Sequence, residues 1–227
     1  MAGYENAEPE VAGVRVPDTR LAAEATELVR ETAPELIYHH SRRVYYFGAL
    51  RGKRRGLSYD PELLYLGAMF HDLGLGEEYR NSGRRFEVDS ADEARRFLAA
   101  RAVPEDSIRR VWTAIALHTT PGIPEFMEPE VALVTAGVEY DVLGLGYDSL
   151  DEADRTAIVA RHPRPDFKRR ILAAFTEGVA PQARDHLRQR QGRRPRPLRS
   201  RFHPGRLRHH HRGVRLAGVG DPTAVRA

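Results

Sequence analysis

Residues 60–76 of the chain read DPELLYLGAMFHDLGLG. The stretch opens with an aspartate, a proline and a glutamate, an order typical of a helix N-cap and first turn. The run Leu63–Phe70 that follows is almost wholly apolar, so we predict a helix at the centre of the molecule. Two glycines then favour termination. His71 and Asp72 are therefore expected at the C-terminal end of a buried helix.

Helical periodicity continues on both sides of this stretch, and the connections are short and rich in proline and glycine. No segment of five or more residues alternates between apolar and polar side chains. The predicted fold class is all-α, a bundle of about eight helices. Besides the central helix, we predict helices over residues 17–29, 35–50, 89–101, 104–117, 129–143, 151–161 and 166–177.

Charge divides the chain into parts. Residues 181–227 contain 13 Arg and 2 Asp, a charge of +11, which leaves 23 basic and 30 acidic residues, or −7, before them. We predict a disordered N-terminal segment over residues 1–17, one domain over residues 18–180, and an Arg/Pro/His-rich disordered tail over residues 181–227. The net charge of +4 therefore says little about what the domain binds.

Composition also limits the class of protein. The chain has no cysteine, so disulfides and thiolate metal sites are excluded. No secretion signal or membrane span is recognisable, and a cytoplasmic protein without a membrane partner is the expectation. Nucleic acid is expected to bind, if at all, only through the basic tail.

Two aspartates are predicted to be buried on apolar helices. Asp72 follows the apolar run above, and Asp141 lies within the largely apolar residues 131–143. A buried carboxylate carries a desolvation cost of several kcal/mol unless a positive charge compensates it. With His71 beside them, the two carboxylates indicate a shared cation. Pairing with an arginine is the structural alternative, and it is favoured for either aspartate taken alone.

Imidazole and carboxylate ligands suit zinc, iron, manganese or nickel. Three or four such ligands leave coordination positions open for water. A divalent cation lowers the pKa of a bound water from about 16 toward about 7, and it also polarises an electrophile. The pattern therefore predicts a metal-dependent enzyme that uses water.

Five segments of the chain form a recognisable set: YHHSRRVYYFG (38–48), FHDLG (70–74), RFEV (85–88), AIALHT (114–119) and EYDVLG (139–144). Together they resemble the HD-domain superfamily of metal-dependent phosphohydrolases, whose signature is H…HD…D. The residues around the signature are similar to the cyanamide-hydratase-like branch of that superfamily, over about residues 18–178.

The resemblance implies a helical bundle that binds one divalent metal through His40, His71, Asp72 and Asp141, with zinc as the metal of cyanamide hydratase. That enzyme adds water to a nitrile carbon to give urea. His39 competes with His40 for the first position. Because neighbours on a helix diverge by about 100°, only one of the two can face the site, and the family pattern favours His40.

The resemblance also places His118 in the pocket, as a hydrogen-bond donor behind the ligands, a proton shuttle or part of a second metal site. Capping of its helix is the alternative, and one metal is favoured over two. Glu87 is a candidate to position the attacking water or to act as general base. It could equally pair with Arg84 or Arg85. Asp72 is expected to serve both as ligand and in catalysis.

Two further pairs of residues are weaker candidates for a functional role. Glu77 and Glu78 lie where some nucleotide-cleaving HD enzymes keep a catalytic acid. Arg42 and Arg43 flank the proposed ligand on one helix and would suit a phosphate, although structural pairing is favoured.

Three functions remain open on the sequence. The first is hydration or hydrolysis of a small nitrogenous molecule. The second is hydrolysis of a nucleotide or other phosphomonoester. The third is a non-enzymatic metal- or nucleic-acid-binding protein that uses the tail. A small-molecule substrate is the favoured partner, and the oligomeric state is left open, with a homo-oligomer among the options.

Overall fold

A computed structural model describes residues 10–176, and these residues form an all-α bundle without a β-strand. The predicted fold class is confirmed. The eighth helix, α8, covers residues 167–176 and reaches the end of the described part. The other seven are α1 (Arg20–Thr32), α2 (Glu35–Arg54), α3 (Pro61–Phe70), α4 (Phe86–Ala99), α5 (Glu105–Leu117), α6 (Pro129–Val138) and α7 (Glu152–Arg161).

Helix α3 is the centre of the bundle, as its sequence predicts. Its N-cap Asp60 accepts hydrogen bonds from the backbone of Glu62 and Leu63. Every residue from Leu63 to Phe70 is buried. The helix contacts α1, α2, α4, α5 and α6, so it brings His71 and Asp72, which follow it directly, into the middle of the molecule.

Helices α2 and α6 pack closely against each other and against α3. At Gly137 of α6, a Cβ atom would lie 2.3 Å from the backbone oxygen of Val44 in α2. A side chain at this position would therefore separate the helices.

Several helix boundaries differ from the prediction by a few residues, and two of the differences bear on the core and the site. Helix α2 continues to Arg54, because Gly52 makes a close contact with Leu133 and Tyr59 instead of ending the helix. Helix α4 begins at Phe86 and not at residue 89 or 90, which places Glu87 in its first turn.

Helix α6 passes without a break into one turn of π-helix, Glu139–Leu143. Gly144, in the left-handed region at φ 71°, ends it. Single π-helical turns often occur at functional sites because they change the direction of one or two side chains. Here the turn contains Asp141.

The two terminal predictions fall partly outside the described residues. Residues 10–17, expected to be disordered, contain a turn in which Val11 and Val14 pair and pack against the core. Residues 1–9 and the predicted tail over residues 181–227 lie outside the described part. Within residues 10–176, no helix has the length and apolar character needed to cross a membrane.

Candidate metal centre

Three of the predicted ligands come together in the core. His40 lies on α2, and His71 and Asp72 follow α3. The His71 Nε2 and His40 Nε2 atoms lie 3.3 and 3.6 Å from Asp72 Oδ2. One donor atom from each of the three residues lies within 4.8 Å of the others. The arrangement places two nitrogen donors and one oxygen donor around a common point.

The turn after α3 fixes the direction of this group. His71 is the C-cap of the helix, and its Nδ1 bonds the backbone oxygen of Ala68 at 2.8 Å. Gly74 then packs against α4: a Cβ there would lie 2.2 Å from the backbone oxygen of Phe86. The Gly74 backbone nitrogen also donates to Ser90 Oγ at 2.8 Å. The turn is thus held on both sides of Asp72.

Several polar atoms of this group are buried without a hydrogen-bond partner among the described residues. They are His40 Nε2, His71 Nε2 and both carboxylate oxygens of Asp72. An unsatisfied buried polar atom costs free energy, and most such atoms in folded proteins do have partners. Their concentration at one point fits a divalent cation held by nitrogen and oxygen donors.

The electrostatics agree with a ligand role for Asp72. Burial raises the pKa of Asp72, but the neighbouring charge of His71, together with the closely placed rings of His118 and His40, holds this pKa well below its usual range. Burial likewise opposes protonation of His71, yet Asp72 raises the pKa of that ring. Burial lowers the pKa of His40. Asp72 is therefore an ionised carboxylate in the core.

Asp141, the fourth predicted ligand, is placed differently from the other three. Its Oδ2 lies 2.7 Å from His40 Nδ1, on the ring edge away from Asp72. Arg43 donates to both of its oxygens, with Nε at 2.9 Å from Oδ1 and Nη2 at 2.8 Å from Oδ2. These donors hold the pKa of Asp141 below its ordinary value despite burial. Asp141 thus has the arginine partner that the sequence left as the alternative.

Of the two adjacent histidines, His40 is the one in the cluster. The His39 ring lies on another side of α2, where its Nδ1 is 3.3 Å from Nδ1 of His162. Its side chain is 23% exposed, whereas that of His40 is fully buried. The cluster therefore contains His40 and not His39.

His118 also reaches the centre. It is the C-cap of α5, and its Nδ1 bonds the backbone oxygen of Ile115 at 2.6 Å. Its buried Nε2 has no hydrogen-bond partner within residues 10–176 and lies 3.5 Å from Asp72 Oδ1. The ring therefore combines the capping position with a nitrogen directed at Asp72.

Glu87 is also a buried carboxylate, but unlike Asp72 it has hydrogen-bond donors for partners. It is 3% exposed, accepts hydrogen bonds from Arg85, and accepts one from Thr119 Oγ1 at 2.5 Å. Burial raises the pKa of Glu87, but these hydrogen bonds outweigh it, so that the pKa is lowered. Glu87 thus joins the start of α4 to Thr119, the residue after His118. Its pairing with Arg85 is the alternative to a catalytic role that the sequence left open.

Sequence reasoning missed part of the centre. Phe167 of α8 lies against the His40 ring, with centroids 5.1 Å apart, and the Arg43 guanidinium stacks on the same phenyl ring. The pairing of Arg43 with Asp141 could have been predicted from the sequence. Arg43 lies three residues after His40, on the same side of α2, and Asp141 needed a positive charge.

The comparison with protein families agrees with this geometry. A family model described as HD domain matches residues 37–202, which include all the residues of the cluster. The match also runs beyond the described residues and past the predicted domain end at residue 180. No curated protein sequence is significantly similar to the chain.

Proposed function

The chain belongs to the HD-domain family, and from that premise we propose that it is a metal-dependent enzyme that activates water for attack on a small uncharged molecule. The observation that carries the proposal is the buried cluster of His40, His71 and Asp72, whose unpartnered donor atoms lie within 4.8 Å of one another. Zinc is the proposed metal, since nitrogen and oxygen donors without sulfur suit it, with iron, manganese and nickel as alternatives.

A bound divalent cation would supply a Lewis acid that makes hydroxide available near neutral pH. The two histidines would hold it through Nε2, because their Nδ1 atoms are already engaged by Asp141 and Ala68. Asp72 has Oδ2 against both rings, and its Oδ1, which faces His118 Nε2 at 3.5 Å, would accept a proton from the attacking water. We assign Glu87 to positioning Thr119 and the adjacent His118, and not to proton transfer.

A cavity of about 470 Å³ lies beside the centre. Asp72 is one of its lining residues, and its carboxylate is buried behind this wall. Its walls combine apolar side chains, among them Leu36, Ile37 and Leu75, with Glu77, Glu78 and Arg80. A cavity of this size suits a small molecule.

The charges around the cavity favour an uncharged substrate over a phosphate ester. Glu77 and Glu78 would repel a phosphate, and Arg80 is paired with Glu77 at 3.3 Å. Arg42 and Arg43, which the sequence offers as phosphate ligands, are buried and do not line the cavity. We therefore propose hydration of a nitrile or a similar small nitrogenous compound, as in cyanamide hydratase. Phosphomonoester hydrolysis is the alternative that the test must separate.

The first test combines metal content with two activity assays on the wild type, Asp72→Asn and His39→Gln. We expect about one metal per chain in the wild type and in His39→Gln, and loss of the metal in Asp72→Asn, because the variant removes the buried charge. Urea formation from cyanamide should follow the metal content.

Each outcome of that test has a clear meaning. Phosphate release from a nucleotide panel, without urea formation, would replace the proposed substrate class. A wild type that stays free of metal after incubation with zinc, iron, manganese or nickel would overturn the proposed function. Far-UV circular dichroism on all three proteins separates loss of metal from loss of fold.

A further inference from the structure

The candidate metal ligands are closed off from solvent. The side chains of His40, His71 and Asp72 have no exposed surface, and neither has that of His118 beside them. The cavity of about 470 Å³ that Asp72 lines ends short of the Asp72 carboxylate. Neither a cation nor a substrate therefore reaches the donor atoms unless part of the surrounding structure moves.

Helix α8 extends from the centre to this cavity. At its start, Phe167 lies against the His40 ring, with centroids 5.1 Å apart. Near its end, Ala174 is one of the residues that line the cavity. Ile171, between them, is fully buried. A movement of α8 would thus uncover the His40 ring and widen the cavity at the same time.

Apolar packing and ring contacts hold α8 in place. Phe167 and Ile171 pack with Ile37 of α2 in a small cluster that is separate from the main core. Phe175 adds a contact with Phe86, at 5.7 Å between ring centroids. In the part of the chain that the structure describes, the hydrogen bonds and ion pairs of α8 all lie inside the helix or join it to the link before it.

The other walls of the cavity are held more firmly. The turn after α3 is joined to α4 by hydrogen bonds from the Gly74 backbone to Ser90 and from the Tyr79 hydroxyl to Glu93. The wall formed by the start of α2 belongs to a helix that packs along α3 and α6. Local opening occurs in units that have few buried contacts of their own. Among these walls, α8 is the unit that separates most easily.

The link before α8 has the features of a hinge. Residues 162–166 read HPRPD, and the two prolines have no N–H to donate. Arg43 donates to the backbone oxygens of His162 and Pro163, so the first half of the link is fixed to α2. Asp166, directly before α8, is exposed and lies in the left-handed region at φ 53°. A rotation at residues 165–166 would therefore move α8 while the segment before it stays on α2.

We propose that α8 is a lid on the metal centre. It turns outward about residues 165–166 to admit the cation and the substrate, and it closes with Phe167 on the His40 ring to exclude bulk water during the reaction. The inference rests on the proposed function for what passes the lid. The opening itself is a property of the metal-free protein.

The first test uses single cysteines, since the chain has none of its own. Ile171→Cys reports on α8, and Ile158→Cys in α7 is the matched control, because both isoleucines are fully buried and Ile158 belongs to the main core. We expect a thiol reagent to label metal-free, full-length Ile171→Cys at least about 100-fold faster than Ile158→Cys. Urea unfolding of both variants corrects the two rates for any difference in global stability.

Equal corrected rates would show that α8 leaves only when the whole protein unfolds, and would overturn the lid. If Ile171→Cys does not fold, hydrogen exchange of the wild type gives the same readout without a substitution. The amides of α8 should then exchange at least about 100-fold faster than those of α3. Exchange of both helices at one rate would again overturn the inference.

The second test follows the rate of zinc uptake by the metal-free protein, with a coloured chelator as the zinc donor. Ile171→Ala should take up zinc at least about 10-fold faster than the wild type, because it weakens the packing of the lid and lies outside the proposed ligand set. Ile158→Ala is the control and should leave the rate unchanged.

The two tests separate the lid from the metal site. Fast thiol labelling of Ile171→Cys together with an unchanged uptake rate in Ile171→Ala would show that α8 opens but is not the entrance, which overturns the proposal. A wild type that binds no zinc refutes the proposed function, whereas the thiol labelling still decides whether α8 opens.

Discussion

Arg43 is fully buried and links three parts of the chain. Its guanidinium donates to both oxygens of Asp141 and to the backbone oxygens of His162 and Pro163. It therefore compensates the charge of Asp141 and also attaches the segment after α7 to α2. In a buried pair of this kind, removal of one partner leaves the other charge without compensation.

Arg43→Met should therefore destabilise the protein by about 3–5 kcal/mol, because it leaves the Asp141 carboxylate charged in the core. Urea unfolding of the metal-free protein measures this change. Arg164→Met is the matched control. Arg164 Nη2 lies 3.8 Å from Asp141 Oδ1 and donates to the Asp141 backbone oxygen at 2.8 Å, but its side chain is 39% exposed. The control should cost roughly 1 kcal/mol or less, and an equal loss in both variants would contradict the assigned role of Arg43.

At the residue scale, the sequence predicted those site residues whose neighbours along the chain define them, and not those whose partners are distant in sequence. His71 and Asp72 are adjacent, follow an apolar helix and precede glycines, so local pattern was enough to find them. The role of Asp141 was not accessible in this way. Its partner Arg43 lies 98 residues away, and a π-helical turn sets its direction.

The contact between α2 and α6 determines where His40 lies relative to α3. The two helices approach closely at Gly137, since a Cβ there would be 2.3 Å from the backbone oxygen of Val44. A backbone oxygen cannot rotate away as a side chain can, so an added methyl group must move a whole helix. The carboxylate of Asp141, four residues further on, would move with it.

Gly137→Ala should thus destabilise the fold by about 1–3 kcal/mol and weaken metal binding. Gly67→Ala is the comparison in α3, where the added Cβ would be 2.9 Å from a side-chain methyl of Val134 and no backbone atom is nearer. We expect a smaller loss there. Thermal unfolding of the metal-free variants and zinc titration measure both effects. A Gly137→Ala protein as stable as the wild type would show that the two helices can separate without cost.

Most helices were predictable as elements, because their apolar periodicity and their caps agree. The helix boundaries that were predicted wrongly are set by contacts between distant parts of the chain. Gly52 suggested a loop from sequence alone, yet it lies within α2 against Leu133 and Tyr59. The predicted end of α6 at Leu143 is correct only if the π-helical turn is counted with it.

At the scale of the whole molecule, buried histidines connect stability to pH. His162, outside the proposed ligand set, is 3% exposed, and its ring stacks on Tyr46. Burial and the nearby charge of Arg42 lower the pKa of His162 to about 2. The ordinary value for histidine is about 6.5. The folded protein therefore keeps this ring neutral at pH values where the unfolded chain protonates it.

The sign of the effect follows from that difference. Above about pH 6.5, His162 is neutral in both states and contributes no pH dependence. As the pH falls below this value, the unfolded chain takes up a proton that the folded protein does not, so the free energy of unfolding decreases. Between pH 6.5 and 4.5 the loss due to this residue should be about 2 kcal/mol.

His162→Asn should remove this part of the acid destabilisation, because asparagine does not titrate. Urea unfolding at pH 7.5, 6.5, 5.5 and 4.5 on both proteins, with a chelator present to exclude metal-linked protons, measures the effect. The lowered pKa of His40 and the raised pKa of His71 act on both proteins alike and cancel in the comparison. The free energy of unfolding should therefore fall less steeply with decreasing pH in His162→Asn than in the wild type, and two curves that stay parallel would show that His162 titrates alike in the folded and unfolded protein.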